Sequence, residues 1–353
     1  MTKSGEVSLP TAVDMVSQTL ETILKSCPPP ISRVTAYLSG AIGKRARAAL
    51  LLTCAARVNT TEKDPLCSNG SLGAAADNLV VPTRAVDAAA AIELFHLATL
   101  VHDDIIDDTP LRRGVASVQS AFDKRSAVIV GDYLLCLAAA SAMKSAGAIE
   151  DDEQRDIMPT LHLYLPSLTK ICEGEFAQWV NEGNYDLALN RYIRIISGKT
   201  AELFRLSAVA GTMAGKCGNE RFYGRLGWYI GMIFQIVDDC KDFEFSESAA
   251  KKPVRQDLPQ GVITLPLIMG MSKEPRLALL VKDMLNSNED AEKIAVAVRD
   301  AKGVVMAKEI ANRYAQKAGA IIAKISDGLK ARLLTEILDK TLNASTDFEV
   351  SAK

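Results

Sequence analysis

Three long stretches of this chain contain no proline: residues 83–109, 167–252 and 276–353. Proline ends or kinks a helix, because it lacks an N–H and its ring collides with the preceding turn. Within these stretches apolar residues recur at three- and four-residue spacing, the period of a helix with one buried stripe. Aromatics are only 5% of the 353 residues and alanine is abundant. That composition disfavours sheets, which draw on aromatic and β-branched side chains. The spacing predicts helices over 11–26, 40–57, 84–108, 125–146, 149–184, 187–214, 219–246, 261–272, 276–286, 289–302, 304–325 and 327–342. The fold class expected is all-α.

At roughly 150 residues per domain the length suits two domains or one large one. Residues 59–82 are polar, glycine-containing and aperiodic, but helical patterns flank them and neither side is self-sufficient. They read as a surface loop within one helical domain spanning 1–353. A net charge of −2 excludes a generally basic nucleic-acid binder. The apolar stretch 128–142 is interrupted by Asp132, so no membrane span is expected, and no apolar run follows the first residues as in a signal peptide. Seven cysteines, an odd number without a Cys-x-x-Cys pair, point to free thiols in a reducing cytoplasm.

One short motif occurs twice. The first copy is His102-Asp103-Asp104-Ile105-Ile106-Asp107-Asp108, the second Gln235-Ile236-Val237-Asp238-Asp239-Cys240-Lys241-Asp242. On a helix Asp103 and Asp107, and likewise Asp238 and Asp242, lie one turn apart on one face, where like charges repel. Both copies close strongly apolar runs, which places them at the rim of a buried cavity, where uncompensated carboxylates are costly. A hard divalent cation resolves the conflict. Mg²⁺ takes oxygen ligands and usually binds one or two carboxylates together with substrate phosphates. The candidate metal residues are therefore Asp103, Asp104, Asp107, Asp238, Asp239 and Asp242, with room for several ions clamping a diphosphate. An EF-hand is excluded, because neither cluster has the twelve-residue loop with glycine at its sixth position.

Cations complement the acids. Arg112 and Arg113 follow the first cluster, where they either bind phosphate or simply neutralise the aspartates. Lys44 and Arg47 share a helical face, and Lys199, Thr200 and Lys252 add donors. Metal clusters beside separate basic patches suit two phosphorylated substrates, one held through metal and one directly. His96 lies seven residues before Asp103, so one helix face presents His96, Thr99, Asp103 and Asp107 to a single cleft. His102 and His162 read as core histidines. Gln235 shares the face of the second cluster.

With these segments in place, GKRAR at 43–47, HLATLVHDDIIDDTPLRRG at 96–114, GDYLL at 131–135, GEFAQ at 174–178, GKTAELF at 198–204, FQIVDDCKDF at 234–243 and KPVRQDLPQGVITLPLI at 252–268, the chain resembles the trans-isoprenyl diphosphate synthases, and among them the long-chain polyprenyl diphosphate synthases. The resemblance implies a single large helical bundle around a deep apolar cavity, Mg²⁺ as cofactor, and isopentenyl diphosphate and an allylic prenyl diphosphate as substrates. It implies a homodimer, with a heterodimer possible, and no nucleic acid. Carried over position by position, Asp103 and Asp107 match the first metal motif and Asp238, Asp239 and Asp242 the second. Lys44, Arg47, His96 and Arg113 match the isopentenyl diphosphate side, and Arg112, Lys199, Thr200, Gln235 and Lys252 the allylic side. The residues expected to carry catalysis are Asp103, Asp107, Asp238 and Lys199. Lys251 and Arg255 stand where the family usually has glycine, and Val262 where it often has lysine, which leaves Lys252 the weakest match.

A growing apolar chain needs a tunnel below Asp103, and each buried CH₂ contributes roughly 0.8 kcal/mol. Short-chain members of the resembled family have bulky aromatics one turn below this motif. Here Ala98 and Thr99 stand there, and Ala138, Ala139, Ala140 and Ala142 follow on the next helix. The expected product is longer than twenty carbons, for a quinone side chain. The alternatives are a short-chain geranylgeranyl or farnesyl synthase, a class I terpene cyclase and a non-catalytic subunit of a heteromeric synthase.

Overall fold

The computed structural model describes residues 5–40, 45–59, 76, 78–112, 114–146, 158–244, 261–286 and 291–343. Its helices run in chain order as α1 (Leu9–Lys25), α2 (Ser32–Ser39), α3 (Ala46–Ala55), α4 (Arg84–Ile106), α5 (Val118–Ala121), α6 (Lys124–Ser145), α7 (Met158–Trp179), α8 (Leu189–Ile196), α9 (Glu202–Gly215), α10 (Glu220–Glu244), α11 (Leu265–Lys273), α12 (Arg276–Asn286), α13 (Ala291–Asp300), α14 (Gly303–Ile322) and α15 (Gly328–Leu342). A π turn, Ser197–Ala201, joins α8 directly to α9. The all-α class holds.

Two small sheets supplement the helices. β1 (Glu6–Ser8), β2 (Arg57–Val58) and β3 (Leu79–Pro82) pair antiparallel in the order β1-β3-β2, and β4 (Leu111–Arg112) pairs with β5 (Val115–Ala116). The surface-loop reading of 59–82 is corrected at its end. Leu79, Val80 and Val81 are buried in β3, because a branched apolar run between two edge strands closes over the core. Residues 60–75 of that loop lie outside the described residues. The expected helix 40–57 begins later, at Ala46, and α2 precedes it as a separate helix. The single helix expected over 187–214 contains the π turn.

The apolar interior forms two clusters. One gathers α8 to α11, α14 and α15 around Phe204, Ile233 and Phe243; the other gathers α1, α3, α4 and α6 around Leu24, Leu51, Ile92 and Leu134. The most extensive helix pairing is α4 on α6. Alanines make this approach possible: Ala88 to Ala91, Ala98, Ala127 and Ala138 are buried. By length and composition alone α4 and α6 are each apolar enough to cross a bilayer; in this fold they pack on each other.

Candidate active site

Helix α4 fixes the first aspartate cluster. Its face His96–Thr99–Leu100–Asp103–Ile106 lines a cavity of about 650 Å³; of the expected stripe His96, Thr99 and Asp103 share this cavity, while Asp107 does not line it. The opposite wall comes from Ile171, Cys172, Glu175, Phe176 and Trp179 of α7, and the far side from Lys199, Thr200, Leu203, Phe234 and Gln235. A second lobe of about 160 Å³ is lined by Asp107, Tyr192, Asp238 and Asp239, and it shares Lys199 and Gln235 with the first. The site therefore has an apolar lobe and a carboxylate-lined lobe that meet at Lys199 and Gln235.

The motif glycines explain how α7 comes this close. A Cβ on Gly174 would sit 2.2 Å from the Lys199 backbone nitrogen, and one on Gly198 would sit 2.8 Å from the Lys170 carbonyl oxygen. Only hydrogen at both positions lets α7 touch the π turn. π turns recur at functional sites because the extra residue re-aims side chains. Here Lys199 and its neighbour Thr200 both face the cavity, and Trp228 Nε1 donates to Ser197 Oγ at 2.8 Å to hold the turn. Gly131 serves in the same way: its hydrogen leaves room for the His102 ring, whose Nε2 is 3.5 Å from Asp132 Oδ1 on α6.

Arg47 enters from α3. That helix has no side-chain cap of its own, and the buried Glu93 carboxylate of α4 accepts from the Ala48 N–H at 3.1 Å. The Arg47 guanidinium lies 4.6 Å from the Phe204 ring centroid and 5.7 Å from that of Phe234. A planar guanidinium stacks in such a slot as a lysine cannot.

Charge is concentrated at the junction of the lobes. Lys199 Nζ donates to Glu175 Oε1 at 2.9 Å. Burial disfavours the ammonium, but Glu175, Asp103 and Asp107 outweigh it, so Lys199 titrates above its ordinary value. Burial pushes the Asp103 carboxyl up to about 7; Glu175 and Asp107 push the same way, and Lys199 and Arg112 oppose them. Asp107 is raised too, again chiefly by burial. Two carboxylates that resist ionisation thus face the two lobes, Asp103 the larger and Asp107 the smaller.

A family model described as polyprenyl synthetase matches residues 28–301. The chain belongs to the polyprenyl synthetase family. It is 30% identical over 312 residues to heptaprenyl diphosphate synthase component 2 of Bacillus subtilis (strain 168), covering 87% of this chain and 80% of the relative. It is 31% identical over 242 residues to geranylgeranyl diphosphate synthase of Saccharolobus solfataricus, covering 67% of this chain and 72% of that one. The crystal structure of heptaprenyl diphosphate synthase from Staphylococcus aureus superposes with a TM-score of 0.77 at 28% identity, over 96% of this chain and 98% of the other. The polyprenyl synthetase is thus a trans-prenyltransferase with the isoprenoid synthase-like all-α fold of its relatives.

The structure of this polyprenyl synthetase brings most expected residues together. Arg47, His96, Thr99, Asp103, Lys199, Thr200 and Gln235 line the larger lobe, and Asp107, Asp238 and Asp239 the smaller. Asp242 lies one turn beyond Asp238 on α10. Lys44, Arg113 and Lys252, with Lys251 and Arg255, lie outside the described residues. Some positions take other duties. Asp104 is buried and its Oδ1 accepts from Arg112, with Nε at 2.8 Å and a terminal nitrogen at 2.7 Å, so Arg112 answers the neutralising half of the expectation. Ala98 is wholly buried in the core beside α6, and only Thr99 of that pair reaches the cavity wall. Phe95 also stands off the cavity, its ring 5.8 Å from that of Tyr164. Glu175 and Tyr192 were missed by sequence reasoning. Glu175 had a signal, following the glycine of the GEFAQ segment; Tyr192 had none.

Proposed function

We propose that this trans-prenyltransferase elongates an allylic prenyl diphosphate with isopentenyl diphosphate to an all-trans polyprenyl diphosphate longer than twenty carbons, for a quinone side chain. The observation that carries the reading is the two-lobed site: carboxylates and Lys199 at one end, an apolar chamber with Thr99, Ile171, Leu203 and Phe234 on its walls at the other. One end suits a diphosphate and the other a growing hydrocarbon.

The donor set fits Mg²⁺. All its oxygens are hard, and Asp103 and Asp107 carry raised pKa values that a cation would relieve. Among the described residues no three such side chains converge tightly enough to hold an ion alone. Mg²⁺ usually takes one or two carboxylates and completes its shell with water and substrate phosphate. Asp103, Asp107, Asp238 and Asp242 would hold it. Bound Mg²⁺ would supply charge stabilisation of the departing diphosphate.

The chain's own residues then divide the work. Lys199 adds a fixed positive charge on the allylic diphosphate side, supported there by Lys252, while Arg112 neutralises the buried Asp104 beside it. Thr200 and Gln235 face the carbon that loses its C–O bond. Arg47, His96, Lys44 and Arg113 hold isopentenyl diphosphate so that its double bond attacks that carbon. A proton then leaves to the released diphosphate, and no protein nucleophile is used. The apolar walls exclude water from the allylic cation.

We place the enzyme in the cytoplasm as a homodimer of single-domain subunits; the described cysteines are all free thiols, which suits a reducing compartment. The Bacillus relative is named as one component of a synthase, which keeps a heterodimer as the alternative. The purified chain, incubated with Mg²⁺, isopentenyl diphosphate and allylic primers of increasing length, tests the reading through mass analysis of dephosphorylated products. Products beyond twenty carbons are expected. Products that stop at fifteen or twenty carbons would favour a short-chain synthase, and inactivity of the chain alone would favour a heteromeric enzyme.

A further inference from the structure

A chain of three hydrogen bonds runs from α8 through α10 into the cavity. Tyr192 Oη donates to Asp239 Oδ2 at 2.5 Å, Gln235 Nε2 donates to Asp239 Oδ1 at 2.7 Å, and Thr200 Oγ1 donates to Gln235 Oε1 at 2.6 Å. The directions follow from the atoms. Gln235 turns its NH₂ to Asp239, whose oxygen accepts, and so turns its carbonyl to Thr200. The carbonyl also only accepts, so Thr200 must spend its hydroxyl proton there. The short Tyr192 contact is of the length expected for O–H···O⁻.

We propose that Asp239, assisted by Tyr192, is a positioning residue that acts through Gln235 rather than through metal. It fixes the polarity of the chain so that Thr200 presents oxygen lone pairs, and no proton, to the reacting carbon. The proposal rests on the function given above. It separates the two adjacent aspartates of the second cluster. Asp238 is half-exposed on the carboxylate-lined lobe; Asp239 is buried, and each of its oxygens has an uncharged donor. The local fold is built for this. Gln235 and Asp239 are one turn apart on α10, and the π turn changes the helical phase between Tyr192 and Thr200 so that both reach that pair.

The test uses the full chain and three variants, with two readouts. Magnesium binding is followed by calorimetry in the presence of inorganic pyrophosphate, and turnover is followed with saturating substrates. In Asp239→Asn the Tyr192 hydroxyl keeps donating, now to the Asn carbonyl, so the Asn NH₂ donates to Gln235 Oε1, the glutamine flips, and Thr200 has to accept. Turnover is expected to fall by about a hundredfold, with Mg²⁺ affinity and both Michaelis constants unchanged. Tyr192→Phe leaves Gln235 in place but unsteadies Asp239, and turnover is expected to fall by about tenfold. In the double variant Gln235→Glu/Asp239→Asn, the carboxylate at position 235 accepts both from Thr200 and from the amide at position 239. The original polarity returns, and most of the lost turnover is regained. Weakened Mg²⁺ binding in Asp239→Asn, or no regain in the double variant, overturns the proposal. If Asp239→Asn does not fold, Tyr192→Phe decides: unchanged turnover, or a loss confined to Mg²⁺ binding, overturns it. Failure of the wild type to turn over substrate would instead count against the functional reading, and the calorimetric arm would still report on Asp239.

Discussion

Glu175 on α7 holds Lys199 of the π turn through a 2.9 Å ion pair that spans the junction of the two lobes. The bond exists only because Gly174 and Gly198 let the two backbones meet. It raises the Lys199 pKa and, by the same charge, raises that of Asp103. Glu175 thereby keeps a cation in place while making the nearby carboxylate harder to ionise.

Replacing Glu175 with Gln is expected to lower the pKa of Lys199 and to loosen its ammonium. A charge-assisted hydrogen bond is worth about 1.5–3 kcal/mol. The specificity constant for the allylic primer should fall by about tenfold or more, and that for isopentenyl diphosphate should change less. Steady-state kinetics with each substrate varied in turn, together with NMR titration of the lysine side chain, checks both parts.

Asp103 makes the metal-free protein sensitive to pH. Its carboxyl titrates at about 7 when folded and at about 3.9 when unfolded. Between these values the folded state binds a proton that the unfolded state has released, so this group's contribution falls as pH rises from about 4 to about 7. Asp103→Asn should therefore raise the melting temperature in EDTA at pH 7.5 and have little effect near pH 4. The same variant should lose activity by orders of magnitude with Mg²⁺ present, and so should Asp238→Ala. Calorimetric melts across pH and a turnover assay would check this; near wild-type turnover in either variant contradicts the metal assignment.

Arg47 stacks on Phe204 and Phe234 with its charge facing the cavity. Arg47→Lys keeps the charge and loses the stack. Its Michaelis constant for isopentenyl diphosphate should rise more than that for the allylic primer, by about tenfold. Equal rises for the two substrates would dissolve the assigned partition.

Thr99 lies one turn below Asp103 on the cavity wall, whereas Ala98 is turned about 100° further round the helix into the core. Thr99→Tyr should plug the chamber and shorten the product while sparing the first condensation. Ala98→Tyr should instead overpack the α4–α6 contact and cost about 1–3 kcal/mol of stability. Product analysis and denaturant melts separate the two; an unchanged product from Thr99→Tyr would remove Thr99 from the chain-length determinants.

The helical class, the paired aspartates and the stripe from His96 to Asp103 were all legible in the amino-acid order, because a helix turns linear spacing into a face without help from the rest of the molecule. The same periodicity left the roles of adjacent residues undivided. Asp103 and Asp104 differ by one position, yet one faces the cavity and the other is buried against Arg112. Asp238 and Asp239 part in the same way, the second against Tyr192 and Gln235. Which of two neighbours meets a partner depends on what a distant helix brings to that side. Glu175 reaches Lys199, and Phe95 turns from the cavity to Tyr164, for that reason. Local spacing determined the helices and their charged faces. Only the packing of α7, the π turn and α10 decided which carboxylates face a ligand and which hold the protein's own side chains, because burial and partner geometry belong to contacts between segments far apart in the chain.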